Sequence, residues 1–121
     1  MAFEDRTGRY LYYSKFEGGG IWRMALPSGS PEKVVDALRP EMWGNWALST
    51  HGIYWMDFTG EGNPVVIRFQ PFGGKTRDVY TLPRPPVRWD AGLTVSPDEH
   101  WVLFSQIDLA GSNIALLERA K

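Results

Sequence analysis

The chain of 121 residues contains no cysteine, which excludes disulfide bonds, zinc sites built from thiolates and a thiol nucleophile. It also carries little net charge, because 13 Lys and Arg residues oppose 14 Asp and Glu residues. A net charge of −1 gives no broad basic field that would hold nucleic acid. No apolar run approaches the roughly 18 residues that a membrane-spanning helix needs. We therefore expect this segment to bind neither nucleic acid nor a membrane.

Aromatic residues and turn-forming residues are abundant instead. The sequence has 6 Trp, 5 Tyr and 6 Phe beside 13 Gly and 9 Pro. Aromatic side chains favour strands, and glycine and proline favour the tight turns that join them. A helical period is weak throughout, and its best candidate, residues 31–38, contains two adjacent valines and is followed by Pro40, which favours a strand or turn. The composition therefore predicts an all-β fold.

The strand-like runs recur in a fixed order along the chain. The runs Tyr10–Tyr13, Ile53–Met56 and Trp101–Phe104 are apolar without a polar break, which is typical of strands buried on both faces. Counted from Ser14 to Asp57 and from Asp57 to Ser105, the repeat is 43 and 48 residues long. A period in the forties with about four short strands in each unit is typical of a β-propeller blade. A generic β-sandwich with similar strands is the alternative.

The repeat predicts about three antiparallel four-stranded blades, which is an incomplete propeller. Blade one covers residues 1–38, blade two 39–82 and blade three 83–121, together one propeller segment. The first strand of blade one would be a stub at residues 2–4, and the fourth strand of blade three would lie beyond Lys121. The predicted strands are 2–4, 9–14, 20–26 and 32–36; 46–49, 52–57, 64–70 and 77–81; and 92–96, 100–105 and 113–118. The turns between them include the hairpin loop 110–113.

Two segments carry a resemblance to a known family. GRYLYYSK…GGGIWRMALPSGSPEKVV and GLTVSPDEHWVLFSQID…SNIALLE resemble TolB-like (WD-repeat-like) propeller repeats, in which a Ser-Pro-Asp-Gly turn precedes an aromatic strand. Here Ser96-Pro97-Asp98 keeps the turn, but Glu99 stands where glycine is usual. The resemblance covers nearly the whole chain. It implies the C-terminal blades of a longer bacterial protein, such as an acidobacterial CadC-like transcriptional regulator, whose DNA-binding module is not on this chain.

An arc of fewer than four blades would leave an apolar face open at each end, since propellers close with about four to eight blades. Open faces and edges of this kind are association sites. We therefore expect self-association, with two chains forming a dimer of about six blades, unless further blades of a parent protein complete the ring.

The longest predicted loops, 37–45 and 82–91, carry the candidate binding residues. Aromatic and arginine side chains on loops above a rigid scaffold are typical of recognition sites for a protein or a small ligand. The alternative is that the tryptophans fill the space between blades. The candidate residues are Trp43, Asn45, Trp46, Arg88, Trp89 and Asp90.

Other patterns give little support to catalysis or metal binding. His51 and His100 lie at turns without a third ligand, which is a poor zinc site. Residues 57–63 loosely resemble a calcium loop but lack its terminal acidic residue. No G-x-S-x-G nucleophile motif is present. We expect no enzyme activity, no metal and no cofactor.

The sequence therefore favours a non-enzymatic interaction or sensing module that binds a protein or small ligand through its loop face. By resemblance, its parent is a transcriptional regulator. The alternatives are a propeller associated with a hydrolase or peptidase, and a purely structural repeat unit. The compartment stays open between the cytoplasm and the periplasm of a bacterium.

Overall fold

A computed structural model describes residues 1–108 and 111–118. Within these ranges the chain forms strands and a single turn of 3-10 helix, Pro40–Met42. No helix in the described ranges is long and apolar enough to cross a membrane. The strands are β1 Ala2–Glu4, β2 Tyr10–Ser14, β3 Ile21–Ala25, β4 Glu32–Val35, β5 Trp46–Leu48, β6 Gly52–Asp57, β7 Val66–Pro71, β8 Arg77–Thr81, β9 Leu93–Val95, β10 Trp101–Asp108 and β11 Gly111–Glu118.

The strands form three separate antiparallel sheets that follow one another along the chain. The first sheet contains β1–β4 and the second contains β5–β8, each in sequence order, while the third has the order β11-β10-β9. Within each sheet, every strand pairs with the strand that precedes or follows it in sequence, as hairpins require. The all-β prediction is confirmed, and the stub at residues 2–4 and the strands at 52–57 and 77–81 have the predicted bounds. The predicted loop 110–113 overlaps β11, and its first residue lies outside the described part of the chain.

Burial explains why some apolar runs are continuous. Ile53–Met56 in β6 is buried on both faces, as its unbroken apolar run predicts. In β10 burial alternates instead: Val102 and Phe104 are buried, while Trp101 and Leu103 are 36% and 37% exposed. The expectation that Trp101–Phe104 is buried on both faces is therefore wrong. The reason is that the third sheet packs against the second on one side only.

Backbone hydrogen bonds correct the repeat by one residue. The residue in the second sheet that corresponds to Ser14 and Ser105 is Met56, rather than Asp57. In each sheet this residue donates its N–H to the carbonyl just before the first strand. The three bonds are Ser14 to Met1 at 2.9 Å, Met56 to Asn45 at 3.0 Å and Ser105 to Gly92 at 3.0 Å. Side chains alternate along a strand, so this shift decides which face each one occupies.

One apolar core runs through the three sheets. We call the side of a sheet that meets the next sheet its front face and the opposite side its back face. The front face of the first sheet meets Trp46, whose indole N–H donates to Ser14 Oγ at 2.8 Å and whose ring lies edge-on to Phe3. The front face of the second sheet meets the third, where the rings of Tyr80 and Phe104 are 5.9 Å apart.

Candidate functional site

Two long loops, residues 36–45 and 82–92, meet at one end of the sheets. The backbone N–H of Trp89 donates to the carbonyl of Glu41 at 2.7 Å. The side-chain amide of Asn45 donates to the carbonyl of Val87 at 3.0 Å. These bonds join segments more than 40 residues apart, so the two loops hold each other in place. We call this end of the sheets the loop face.

Trp89 is the most unusual residue of the loop face. Its side chain is 58% exposed, and its backbone has φ = 60°. A bulky residue in the left-handed region is a genuine outlier. Such strain costs about 1–3 kcal/mol and is concentrated at functional sites. The hydrogen bond to Glu41 fixes this backbone, so the indole projects into solvent from a rigid base.

A stack of two arginines around a phenylalanine supports the base of the loop face. The guanidinium carbons of Arg39 and Arg88 lie 4.9 and 5.2 Å from the ring centroid of buried Phe58. Each arginine also has an acidic partner. Arg39 Nε lies 3.2 Å from Glu41 Oε1, and Arg88 Nη1 lies 3.0 Å from Glu61 Oε1. These cation–π contacts and ion pairs connect three loops to one another. Because both guanidinium groups already have carboxylate partners, the cluster is not an open binding site for an anion.

The structure separates the predicted site residues into an accessible set and a buried set. Arg88, Trp89 and Asp90 are consecutive and exposed. Asn45 and Trp46 are 0% exposed, so a ligand does not reach them. The expectation that they contact a partner is corrected accordingly, because Trp46 packs against Ser14 and Phe3 of the first sheet and Asn45 is held against Val87 of loop 82–92.

Trp43 has an intermediate position. Its carbonyl accepts hydrogen bonds from Ser14 Oγ and from the indole N–H of Trp46. Its ring lies 4.6 Å from that of Phe16. The interpretation that tryptophans fill the space between units therefore fits Trp46, applies partly to Trp43, and does not apply to exposed Trp89.

An acidic groove of about 830 Å³ lies at the opposite end, between the second and third sheets. Its wall includes His51, whose Nδ1 pairs with Glu99 Oε2. The Tyr54 hydroxyl lies 3.4 Å from Glu99 Oε1 and donates to it. Glu99 was not among the site residues predicted from the sequence. The signal that could have identified it is its position in the turn, where the related repeats have glycine.

Neither end of the sheets provides a metal centre among the described residues. No group of three or more His, Asp or Glu side chains within them is placed to hold a metal ion. Asp57, from the calcium-like segment, bridges Arg68 at 2.7 Å, and Glu61 pairs with Arg88. The two carboxylates of that segment are therefore engaged by arginines.

Replacement of Glu99 tests the strain at the groove. Glu99 has φ = 59°, a conformation that costs a non-glycine residue about 1 kcal/mol or more. Glu99→Gly and Glu99→Ala both remove the contacts to His51 and Tyr54, but only glycine also removes the strain. We expect the glycine variant to be about 1 kcal/mol more stable than the alanine variant in urea unfolding. Equal stabilities would contradict a strained turn.

Acidification tests the turn that precedes β10. The Ser96 hydroxyl donates to Asp98 at 2.6 Å and the His100 N–H donates to it at 2.9 Å, and these bonds lower the pKa of Asp98 from its ordinary value. A lowered folded-state pKa stabilises the fold above the unfolded pKa, and this contribution is lost as the pH falls through the folded pKa. Asp98→Asn should therefore lower the melting temperature at pH 6. The difference from the wild type should shrink as the pH falls below about 3.9. A constant difference between pH 6 and pH 2.5 would contradict this assignment.

Comparison with known proteins adds no family. No protein-family model matches the chain, and no curated protein matches it with significant similarity. The residues exposed at the two ends of the sheets are therefore the observations that bear on function.

Proposed function

We propose that the chain is a non-enzymatic segment of a β-propeller that binds a protein or small ligand through its loop face. Three sheets with the same connectivity, joined in chain order through one core, support the propeller arrangement. The repeated hydrogen bond of Ser14, Met56 and Ser105 supports it further, because it marks the same position in each sheet. A two-layer sandwich has no need of such a repeated unit.

The exposed and strained Trp89 carries the proposal. Tryptophan and arginine are enriched among the residues that dominate binding energy at interfaces. Here an indole with 58% exposure stands between Arg88 and Asp90 on a loop tied to its neighbour. A rigid aromatic group loses little conformational entropy when a partner covers it. A protein surface with a hydrophobic side chain and a neighbouring polar group would fit this site.

The groups most suited to catalysis have structural partners, which supports a non-enzymatic role. Ser14 is buried, donates to the carbonyl of Trp43 and accepts from the indole of Trp46. His51 pairs with Glu99, and Asp57 pairs with Arg68. A nucleophile requires a base within hydrogen-bond reach, and these three groups are each paired elsewhere.

Selection of peptides on the protein tests the loop face. A phage-displayed library of random peptides is panned on the wild-type chain, and the enriched peptides are titrated against variants. Trp89→Gly removes the indole and relieves the left-handed strain, so this variant should stay folded. We expect its affinity for the enriched peptides to fall at least about 30-fold, as for a binding hot spot.

Phe72→Ala provides the matched control. Phe72 is an exposed aromatic residue, 46% accessible, in the turn between β7 and β8, away from the loop face. Its replacement should leave peptide affinity unchanged. Peptides that bind Trp89→Gly as tightly as the wild type would contradict the proposal. Absence of any enrichment would favour a purely structural repeat unit.

The nature of the parent protein is a separate proposal. By its resemblance to TolB-like repeats, we propose a bacterial transcriptional regulator in which this propeller senses a signal. The reading frame upstream of Met1 tests it. A winged-helix sequence there would support the regulator, whereas a G-x-S-x-G segment would support the hydrolase alternative.

A further inference from the structure

We infer that the front face of the third sheet docks onto the back face of the first sheet of a second copy, so that two chains close head to tail into one ring. This inference rests on the stacked-sheet arrangement of the proposed function, but it does not require Trp89 to be a binding site. It identifies the surfaces that meet and the residues that hold them together.

The front face of the third sheet is apolar and open to solvent. Trp101, Leu103 and Ile107 alternate along β10 with exposures of 36%, 37% and 44%, and Leu116 in β11 is 58% exposed. Leu103 and Leu116 are paired across the two strands, so their side chains lie on one face. A continuous exposed face of this kind marks an interaction site.

The same face is covered in the other two sheets. Counted from the repeated hydrogen bond, Leu103 corresponds to Tyr12 in the first sheet and to Tyr54 in the second. Tyr12 is 3% exposed and Tyr54 is 0% exposed, against 37% for Leu103. In the first two sheets the next sheet along the chain provides the cover. The third sheet therefore presents a surface that is built to receive another sheet.

A pocket of about 260 Å³ marks where the incoming sheet would insert. Ser105 lines it, and Ser105 corresponds to Ser14 of the first sheet. At Ser14 the equivalent position is filled by Trp46, the first residue of the next sheet, which donates its indole N–H to the serine. The pocket is lined by residues of β9, β10 and β11 and by the turn before β9, among them Gly92, Leu103 and Ser105.

The back face of the first sheet provides the complementary surface. Leu11 pairs with Met24, and Tyr13 pairs with Trp22, and all four side chains are only partly buried. In the second sheet, the counterpart of Tyr13 is Trp55, which is 3% exposed because it packs against the preceding sheet. The first sheet thus carries the docking half of the interface whose receiving half lies on the third.

A second copy is the occupant that these two faces favour. Each face continues one half of the sheet-to-sheet interface that the chain already uses twice, and one chain carries both halves in equal number. Head-to-tail contacts form a closed ring when the rotation closes. Two copies would place six sheets in the ring, within the range of roughly four to eight that propellers adopt.

Sedimentation velocity of the full chain tests the inference. The wild type should sediment at micromolar concentration with twice the chain mass of 13.8 kDa. Leu103→Glu disables the receiving face and Tyr13→Glu the docking face, and each should raise the dissociation constant at least about 30-fold. In an equimolar mixture of the two variants, one interface stays intact, so dimers should reappear with weaker affinity than the wild type.

Controls separate this inference from folding and from the loop-face proposal. Thr81→Glu, at an exposed position of the middle sheet, and Trp89→Gly should both remain dimeric. Circular dichroism checks the fold of each variant, and Thr94→Arg on the same front face replaces Leu103→Glu if the latter unfolds.

A monomeric wild type would overturn the inference, whatever the peptides bind. The inference would also be overturned if Leu103→Glu disrupted the dimer, Tyr13→Glu did not, and mixing the two variants failed to restore it. Such a result would mean that the dimer joins two identical faces. Open-ended polymers would overturn closure by two chains.

Discussion

Replacing Trp46 with alanine should lower the free energy of unfolding by about 3–5 kcal/mol, the usual range for a large aromatic residue in a core. Trp46 is 0% exposed, donates to Ser14 Oγ and packs edge-on against Phe3. Alanine leaves a cavity between the first two sheets. Small domains have total stabilities of only about 5–15 kcal/mol, so much of the variant should be unfolded in low concentrations of urea.

Urea unfolding at a fixed protein concentration measures this effect, because association would otherwise shift the midpoint. Trp46→Phe should lie between the wild type and Trp46→Ala, since it keeps much of the ring but loses the indole N–H. Trp89→Ala is the matched control: the same substitution at an exposed tryptophan should change stability by about 0.5 kcal/mol or less. Similar losses at Trp46 and Trp89 would contradict the placement of Trp46 between the sheets.

Replacing Gly44 with alanine should cost about 1–3 kcal/mol through overpacking and should weaken peptide binding at the loop face. A methyl group on Gly44 would lie 2.6 Å from the carbonyl oxygen of Asp90 and 2.7 Å from the Cα of Ala91. Both contacts are with backbone, which moves only if loop 82–92 moves. The indole of Trp89 would be displaced with that loop.

Nuclear magnetic resonance follows the displacement through the indole N–H signal of Trp89, assigned by comparison with Trp89→Phe. That signal should shift in Gly44→Ala. Gly74→Ala is the control, because the atoms nearest to its methyl group would be side-chain atoms of Pro71, the first at 3.1 Å. We expect Gly74→Ala to retain the Trp89 signal and most of the stability. An unshifted signal in Gly44→Ala would show that the two loops are not in contact.

The strands could be predicted from the sequence because their signals are local. Apolar runs such as Ile53–Met56 and the turn residues around them act over a few positions. The sequence placed the equivalent of Ser14 and Ser105 in the second sheet at Asp57, whereas the structure places it one residue earlier, at Met56. The turn before β6 is shorter than the turn before β10, so counting along the chain misaligns the two sheets. The apolar run Trp101–Phe104 does not by itself indicate that Trp101 and Leu103 are exposed, since their exposure depends on whether another sheet lies beyond the third. The open apolar face follows instead from the count of about three units.

The site could be predicted only in part, because burial of a loop residue depends on distant segments. Trp46 and Trp89 look alike in the sequence, but only Trp46 is covered by the first sheet. Glu99 and His51 are 48 residues apart, and their pairing depends on how the second and third sheets pack. The left-handed backbone of Trp89 likewise follows from its bond to Glu41, which no local pattern indicates.

Chemical cross-linking between copies tests the central claim, that the sheets are successive units of one ring completed by a second chain. Ala2 corresponds to Trp46, since each is the first residue of its sheet and pairs with the second strand. In the proposed ring Ala2 would therefore lie beside Ser105 of the other copy. Because the chain has no cysteine, Ala2→Cys and Ser105→Cys introduce unique sites for a short bismaleimide. A mixture of the two single variants should give a covalent dimer, whereas each variant alone should stay uncross-linked. Dimers from either variant alone, or none from the mixture, would contradict the account.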